Sequence, residues 1–185
     1  MFRIEIFDRW PGFRINGRPA NYGRIRWANG PYEYETFIAP TDLKSCGWYR
    51  RQWDAALRRL LAGQGSSSLV VSAGNPEVDW IQVWDIWNVG TPTALMQNRY
   101  HIPPAGRSPG PKPAQPFDID RPWDSAGAPD DATDPPGARA SQWEIPLEAI
   151  EEFIGLGGPL AWKPSRRVWP AGWPGVRNRT SRRRT

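Results

Sequence analysis

The chain has 185 residues and a mass of 21.0 kDa, room for one domain of ordinary size, with 39% hydrophobic and 23% charged residues. One histidine (His101) and one cysteine (Cys46) exclude a His/Cys zinc site and an intrachain disulfide, and would force any nucleophile–base arrangement through His101. The net charge of +5 does not by itself mark a nucleic-acid binder, because residues 155–185 hold eight bases and no acid and residues 1–154 carry a net of −3.

The first forty residues alternate with the period of a strand. Phe2, Ile4 and Ile6 share one face, and Arg3, Glu5 and Phe7 the other. The acids inside MFRIEIFDRW do not suit a signal peptide, and no apolar run approaches the roughly 18 residues of a membrane span. A cytoplasmic chain is expected. Asn16-Gly17 predicts a tight hairpin turn, and strands are expected over 23–27 and 32–38, a meander that Pro40 ends.

The period then changes. Tyr49, Trp53, Ala56, Leu57, Leu60 and Leu61 form one helical stripe, with Ser45 placed to cap its start and Gly63 to end it. Arg50, Asp54 and Arg58 step along the opposite face, where the acid can pair with either arginine.

Residues 67–73 contain Leu69-Val70-Val71, the pattern of a strand covered on both faces. A turn at 74–76 leads to an aromatic strand over 79–87. It sets Trp80, Gln82, Trp84 and Ile86 against Ile81, Val83, Asp85 and Trp87. A hairpin at 88–90 leads to a strand over 93–102. Ten prolines in residues 103–136 predict a long loop, since such a stretch supplies neither sheet hydrogen bonds nor a helix. A last strand over 141–145 precedes a short helix with Pro146 at its start. Leu147, Ile150, Phe153 and Ile154 point inward there, and Glu148, Glu151 and Glu152 outward. The expected architecture is α+β: an antiparallel β-rich sheet with one main amphipathic helix and a short carboxy-terminal one. One domain is expected over 1–154, with a Pro-rich loop over 103–139 and a basic, disordered tail over 155–185.

Little in the sequence carries catalysis. A lone histidine at a strand end is far more often a sheet residue than a general base. The acids Asp118, Asp120 and Asp124 lie in a Pro/Gly-rich stretch poorly suited to a rigid metal cage. No cofactor, metal or catalytic residue is implied. Binding is better supported. Residues 1–76 have a net charge of +5 and residues 77–154 a net of −8. An acidic, aromatic half-domain suits a basic protein partner, with rings as anchors and carboxylates steering encounter. Asp79, Asp85 and Trp87, with Glu148, Glu151 and Glu152, are the expected contacts. The alternative is nucleic-acid binding through tryptophan stacking, twelve tryptophans being present, and through weak contacts of the basic tail.

One ordered set of residues strengthens the protein-partner reading. It comprises Ser68-Leu69-Val70-Val71-Ser72, Asn75-Pro76-Glu77, the aromatic strand around Trp84, Met96-Gln97-Asn98, and Ser141-Gln142-Trp143 before Pro146-Leu147. Over residues 40–102 and 140–153 this resembles the CdiI immunity proteins of contact-dependent growth inhibition, in the group whose toxins cleave 16S ribosomal RNA. Ser72, Pro76, Trp84, Gln97, Asn98, Ser141 and Trp143 carry the likeness. Ala73-Gly74 departs from it where an aromatic is common, and Gln142 replaces the usual acid. The resemblance implies a β-rich fold similar to Whirly single-strand DNA-binding proteins. It also implies a non-enzymatic inhibitor of the nuclease domain at the carboxy terminus of a CdiA-type toxin, without membrane contact.

Overall fold

The alternating segments of the first forty residues pair into an antiparallel sheet around one long strand. The computed structural model describes residues 1–7, 14–15, 17–27, 34–73, 81–90, 92–101, 118–126, 128–129 and 142–161. Strand β3 (Arg18–Arg26) pairs with β1 (Arg3–Ile6), β2 (Arg14–Ile15) and β4 (Tyr34–Pro40). It starts five residues earlier than the alternation predicts, because Ile15 pairs directly with Arg18. Gly17, between them, takes the left-handed conformation that a tight turn demands (φ 78°). Gly23 answers a different need: a Cβ there would enter the ring of Phe37.

Helix α1 (Cys46–Leu61) follows the predicted stripe. The Ser45 hydroxyl accepts from the Trp48 amide at 3.2 Å, and Gly63 leaves the helix at φ 82°. Asp54 pairs with Arg58 (2.8 Å), whereas Arg50 reaches the Ile6 carbonyl at 3.5 Å.

The second half of the chain adds β5 (Ser66–Ser72), β6 (Ile81–Asn88), β7 (Thr93–His101) and β8 (Gln142–Pro146), antiparallel and in that order. The single sheet expected from the sequence is therefore two four-stranded sheets among the described residues. After β8 come α2 (Leu147–Gly155) and α3 (Gly158–Ala161). The first residues of the expected tail are structured, since Gly158 and Pro159 are buried in α3, and residues 162–185 lie outside the described residues. Within the Pro-rich stretch, Pro122–Ser125 form a 3-10 turn, and Pro122 is buried.

Strand β5 is an edge, and α1 covers it, which prevents open backbone from recruiting a foreign strand. Gln52 Nε2 donates to the Ser68 carbonyl (2.6 Å) while its Oε1 accepts from the Val70 amide (2.9 Å). Trp53 Nε1 donates to the Val70 carbonyl (2.7 Å). Tyr49 joins the two sheets, its hydroxyl donating to Pro40 at the end of β4 and accepting from the Ala73 amide just past β5. Burial pushes that phenol far above its ordinary pKa of 10.0. The core gathers Phe2, Ile4, Ile6 and Ile25 from the first sheet, Trp53, Leu57 and Leu60 from α1, and Leu69, Ile86, Met96 and Ile145 from the second. Each fully buried aliphatic side chain contributes about 1.5–3 kcal/mol. Among the described residues no helix is long and apolar enough to cross a membrane.

Candidate functional site

Helix α2 presents the acidic face that the sequence predicts. Ala149, Ile150 and Phe153 turn inward, and Phe153 meets Phe2 edge-on at 5.6 Å. That burial leaves Glu148, Glu151 and Glu152 exposed, and the last turn holds no base to offset them. Glu148 lies in the first turn, where a carboxylate complements the helix dipole. Gln142 and Glu144, also exposed, share one face of β8 just before the helix. At the other end of α2 a cleft of about 380 Å³ opens between Phe2, Arg3, Glu152 and Phe153, and its rim includes the exposed Met1 and Leu156. An acidic stripe leading to an apolar rim suits a partner surface in which basic side chains surround an apolar one.

The second sheet also carries a row of polar groups that is buried except at its β8 end. Ser68, Asp85, Gln97 and Gln142 stand opposite one another across all four strands. Ser68 Oγ donates to Asp85 Oδ1 at 2.5 Å, and Gln97 Nε2 donates to Gln142 Oε1 at 2.7 Å. Arg99 closes the row: Nη1 is 3.6 Å from Asp85 Oδ2, Nη2 donates to the Ala128 carbonyl at 2.7 Å, and the guanidinium lies 4.9 Å from the Trp87 ring centre. The segment after the 3-10 turn thus reaches this row. Asp120, just before that turn, bonds Lys44 and the Trp48 indole, and Lys44 holds its carboxyl below the usual range.

The expected contact residues consequently separate. Glu148, Glu151 and Glu152 lie together on the surface. Asp85 is 0% exposed and Trp87 is 5% exposed, so neither offers its side chain to an incoming partner in this conformation. The strand alternation placed both on one face correctly, but that face is covered. Asp79 lies outside the described residues, as do Pro76 and Ser141. Of the remaining family-motif residues, Ser72 and Gln97 are buried. Asn98 Oδ1 accepts from Gln82 Nε2 at 3.2 Å. Trp84 lies tilted against Trp143 with ring centres 4.2 Å apart, and Trp27 stacks on Trp143 at 3.8 Å. These motif residues build the sheet. Sequence reasoning missed Arg99, the basic partner of Asp85, and Trp27, the cross-sheet partner of Trp143; either pairing requires the register.

The family model described as the CdiI N-terminal domain matches residues 40–153. The chain belongs to the CdiI immunity family. The match spans α1, all four strands of the second sheet and most of α2, the elements holding both the polar row and the acidic face. In a solved structure, the CdiA-CT/CdiI toxin and immunity complex from Enterobacter cloacae, one chain matches this one with a TM-score of 0.61 and 19% identity. The alignment covers 84% of this chain and 97% of that one, and at such identity it shows the shared fold. Comparison with curated proteins gives no match.

Proposed function

We propose that this CdiI chain is an immunity protein that binds the carboxy-terminal toxin domain of its cognate CdiA protein in the cytoplasm. The acidic face of α2 makes the contact, through Glu148, Glu151 and Glu152. The observation that carries this reading is the exposed carboxylate cluster on a helix within the family-defining segment, beside an apolar rim. The toxin domain is a nuclease with a basic substrate surface. Carboxylates seated on that surface occupy the places of substrate phosphates, so cleavage stops by exclusion and the inhibitor needs no catalytic group of its own. Asp79, outside the described residues, is a further contact at the start of the aromatic strand.

The test pairs this chain with the toxin domain of its cognate CdiA protein. Nuclease assays with increasing immunity protein should show stoichiometric loss of RNA cleavage. E148K/E151K/E152K should require a large excess for the same protection. Full, stoichiometric inhibition by that variant would move the contact elsewhere on the protein, and persistent cleavage with the native chain would remove the proposed role.

A further inference from the structure

Apart from Arg3 at the cleft, the outer face of the first sheet has no place in that account. Its described strands β1–β4 hold five arginines (Arg3, Arg14, Arg18, Arg24, Arg26) against two glutamates (Glu5, Glu35). The register brings Arg3 opposite Arg26, Glu5 opposite Arg24, and Tyr34 opposite Arg26. The inward residues of the same strands, Ile4, Ile6, Ile25 and Phe37, belong to the core, which directs the arginines away from it. Glu5 stands among Arg3, Arg24 and Arg26 on this face, accepting from Arg24 at 3.0 and 2.5 Å and lying 3.3 Å from Arg3. Among the described residues Arg26 has no acidic partner, and on this face the three arginines outnumber Glu5.

Rings alternate with these cations. The Arg24 guanidinium lies 5.5 Å from the Phe7 ring centre and 5.3 Å from that of Tyr34, and Arg26 lies 6.0 Å from Tyr34. The result is a file of planar groups across three strands. Glu5 and the rings hold the guanidinium groups in place, so little side-chain entropy remains to be lost on binding. Arg3 and Arg24 keep 40% and 30% of their side-chain surface exposed.

From this arrangement we propose that the outer face of the first sheet binds single-stranded nucleic acid, its arginines neutralising phosphates and its Tyr34 plane taking an unpaired base. A flat sheet bearing rings between cations matches a polyanion that carries a π-face at each repeat. An acidic protein segment would match the charge and leave the rings without a role. Arg3 borders the cleft at the end of α2, but Arg24, Arg26 and Tyr34 do not line it, so the effect of Tyr34→Leu on nucleic acid reads this proposal apart from toxin binding.

The experiment uses the full chain and a fluorescein-labelled oligothymidylate of about twenty nucleotides, titrated by anisotropy at several salt concentrations. Because residues 162–185 carry eight bases, R182A/R183A/R184A in the full chain measures the tail's share. R3A/R26A should lower the slope of log K against log salt by about 1.4, at about 0.7 per lost phosphate contact. Tyr34→Leu should weaken binding at least about fivefold while leaving that slope in place. Circular dichroism melts confirm that each variant is folded, and Tyr34→Phe, which keeps the ring, should restore the affinity. The proposal is overturned if R3A/R26A and Tyr34→Leu both bind like the native chain, if all retention disappears with the tail arginines, or if a poly-glutamate competitor displaces the oligonucleotide while Tyr34→Leu has no effect.

Discussion

The two sheets place the same chemistry in opposite situations. Each has a row in which a carboxylate meets arginine beside an aromatic ring: Glu5 with Arg24 and Tyr34 in the first sheet, Asp85 with Arg99 and Trp87 in the second. In the first, arginines outnumber the acid and stay at the surface. In the second, Asp85 is wholly buried and the backbone at Ala128 receives a hydrogen bond from Arg99. One row therefore serves as a surface and the other as internal structure. Among the described residues, the acidic sign of the second half of the chain reaches solvent through α2, Glu144 and the aspartates of 118–124 instead. Charge counted along a sequence identifies a half-domain as acidic, whereas packing decides which of its acids a partner meets.

Removing the buried acid should have the largest effect. Asp85→Ala leaves the Arg99 guanidinium in a largely buried site, at a cost of about 3–5 kcal/mol, readable as a lower denaturation midpoint in urea. Adding Arg99→Met should recover part of that loss. A loss below 1 kcal/mol for Asp85→Ala would mean that the row is as open as its counterpart in the first sheet. Glu5→Ala, by contrast, releases arginines that reach water, and should cost about 1 kcal/mol.

Tyr49 tests the link between the sheets. Its folded pKa lies above its unfolded value, so the folded state retains the proton that the unfolded chain loses as pH rises past about 10. Its stabilising contribution is complete below that pH, and the native chain should lose up to about 1.4 kcal/mol per pH unit above it. Tyr49→Phe should cost about 1 kcal/mol at neutral pH and show a shallower alkaline decline. Equal slopes for the two proteins would contradict the bridging role. The smallest effect belongs to Asp120, which is mostly exposed. Its pKa is lowered by Lys44, so its contribution is present above the ordinary carboxylate range and fades as pH falls through the folded value. Asp120→Asn should change neutral stability only slightly and remove that acid-side component, measured by melts between neutral and acid pH.

The elements that depend on local pattern were legible in the sequence. The α1 stripe with its Ser45 cap and Gly63 exit, the Asn16-Gly17 turn and the inward and outward faces of α2 all follow from periodicity and capping. What depends on strand register was not. Asp85 reads as an exposed acid until Ser68 and Arg99 are brought beside it from other strands, and Trp143 reads as a separate aromatic until Trp27 arrives from the first sheet. The division into two sheets was hidden for the same reason: α1 meets β5 through Gln52 and Trp53, whose hydrogen bonds leave no signature in hydrophobic alternation. Near residue 155, Gly and Pro suggested the end of structure, although Gly157 and Gly158 supply the positive φ values of the turn into α3.

The most direct measurement is the association rate of this chain with a cognate CdiA toxin domain, followed by stopped-flow fluorescence at low and physiological salt. For E148K/E151K/E152K the account predicts association slowed at least about tenfold at low salt, with a stability change within about 0.5 kcal/mol. Equal association rates for the variant and native chains at both salt concentrations would contradict docking through α2.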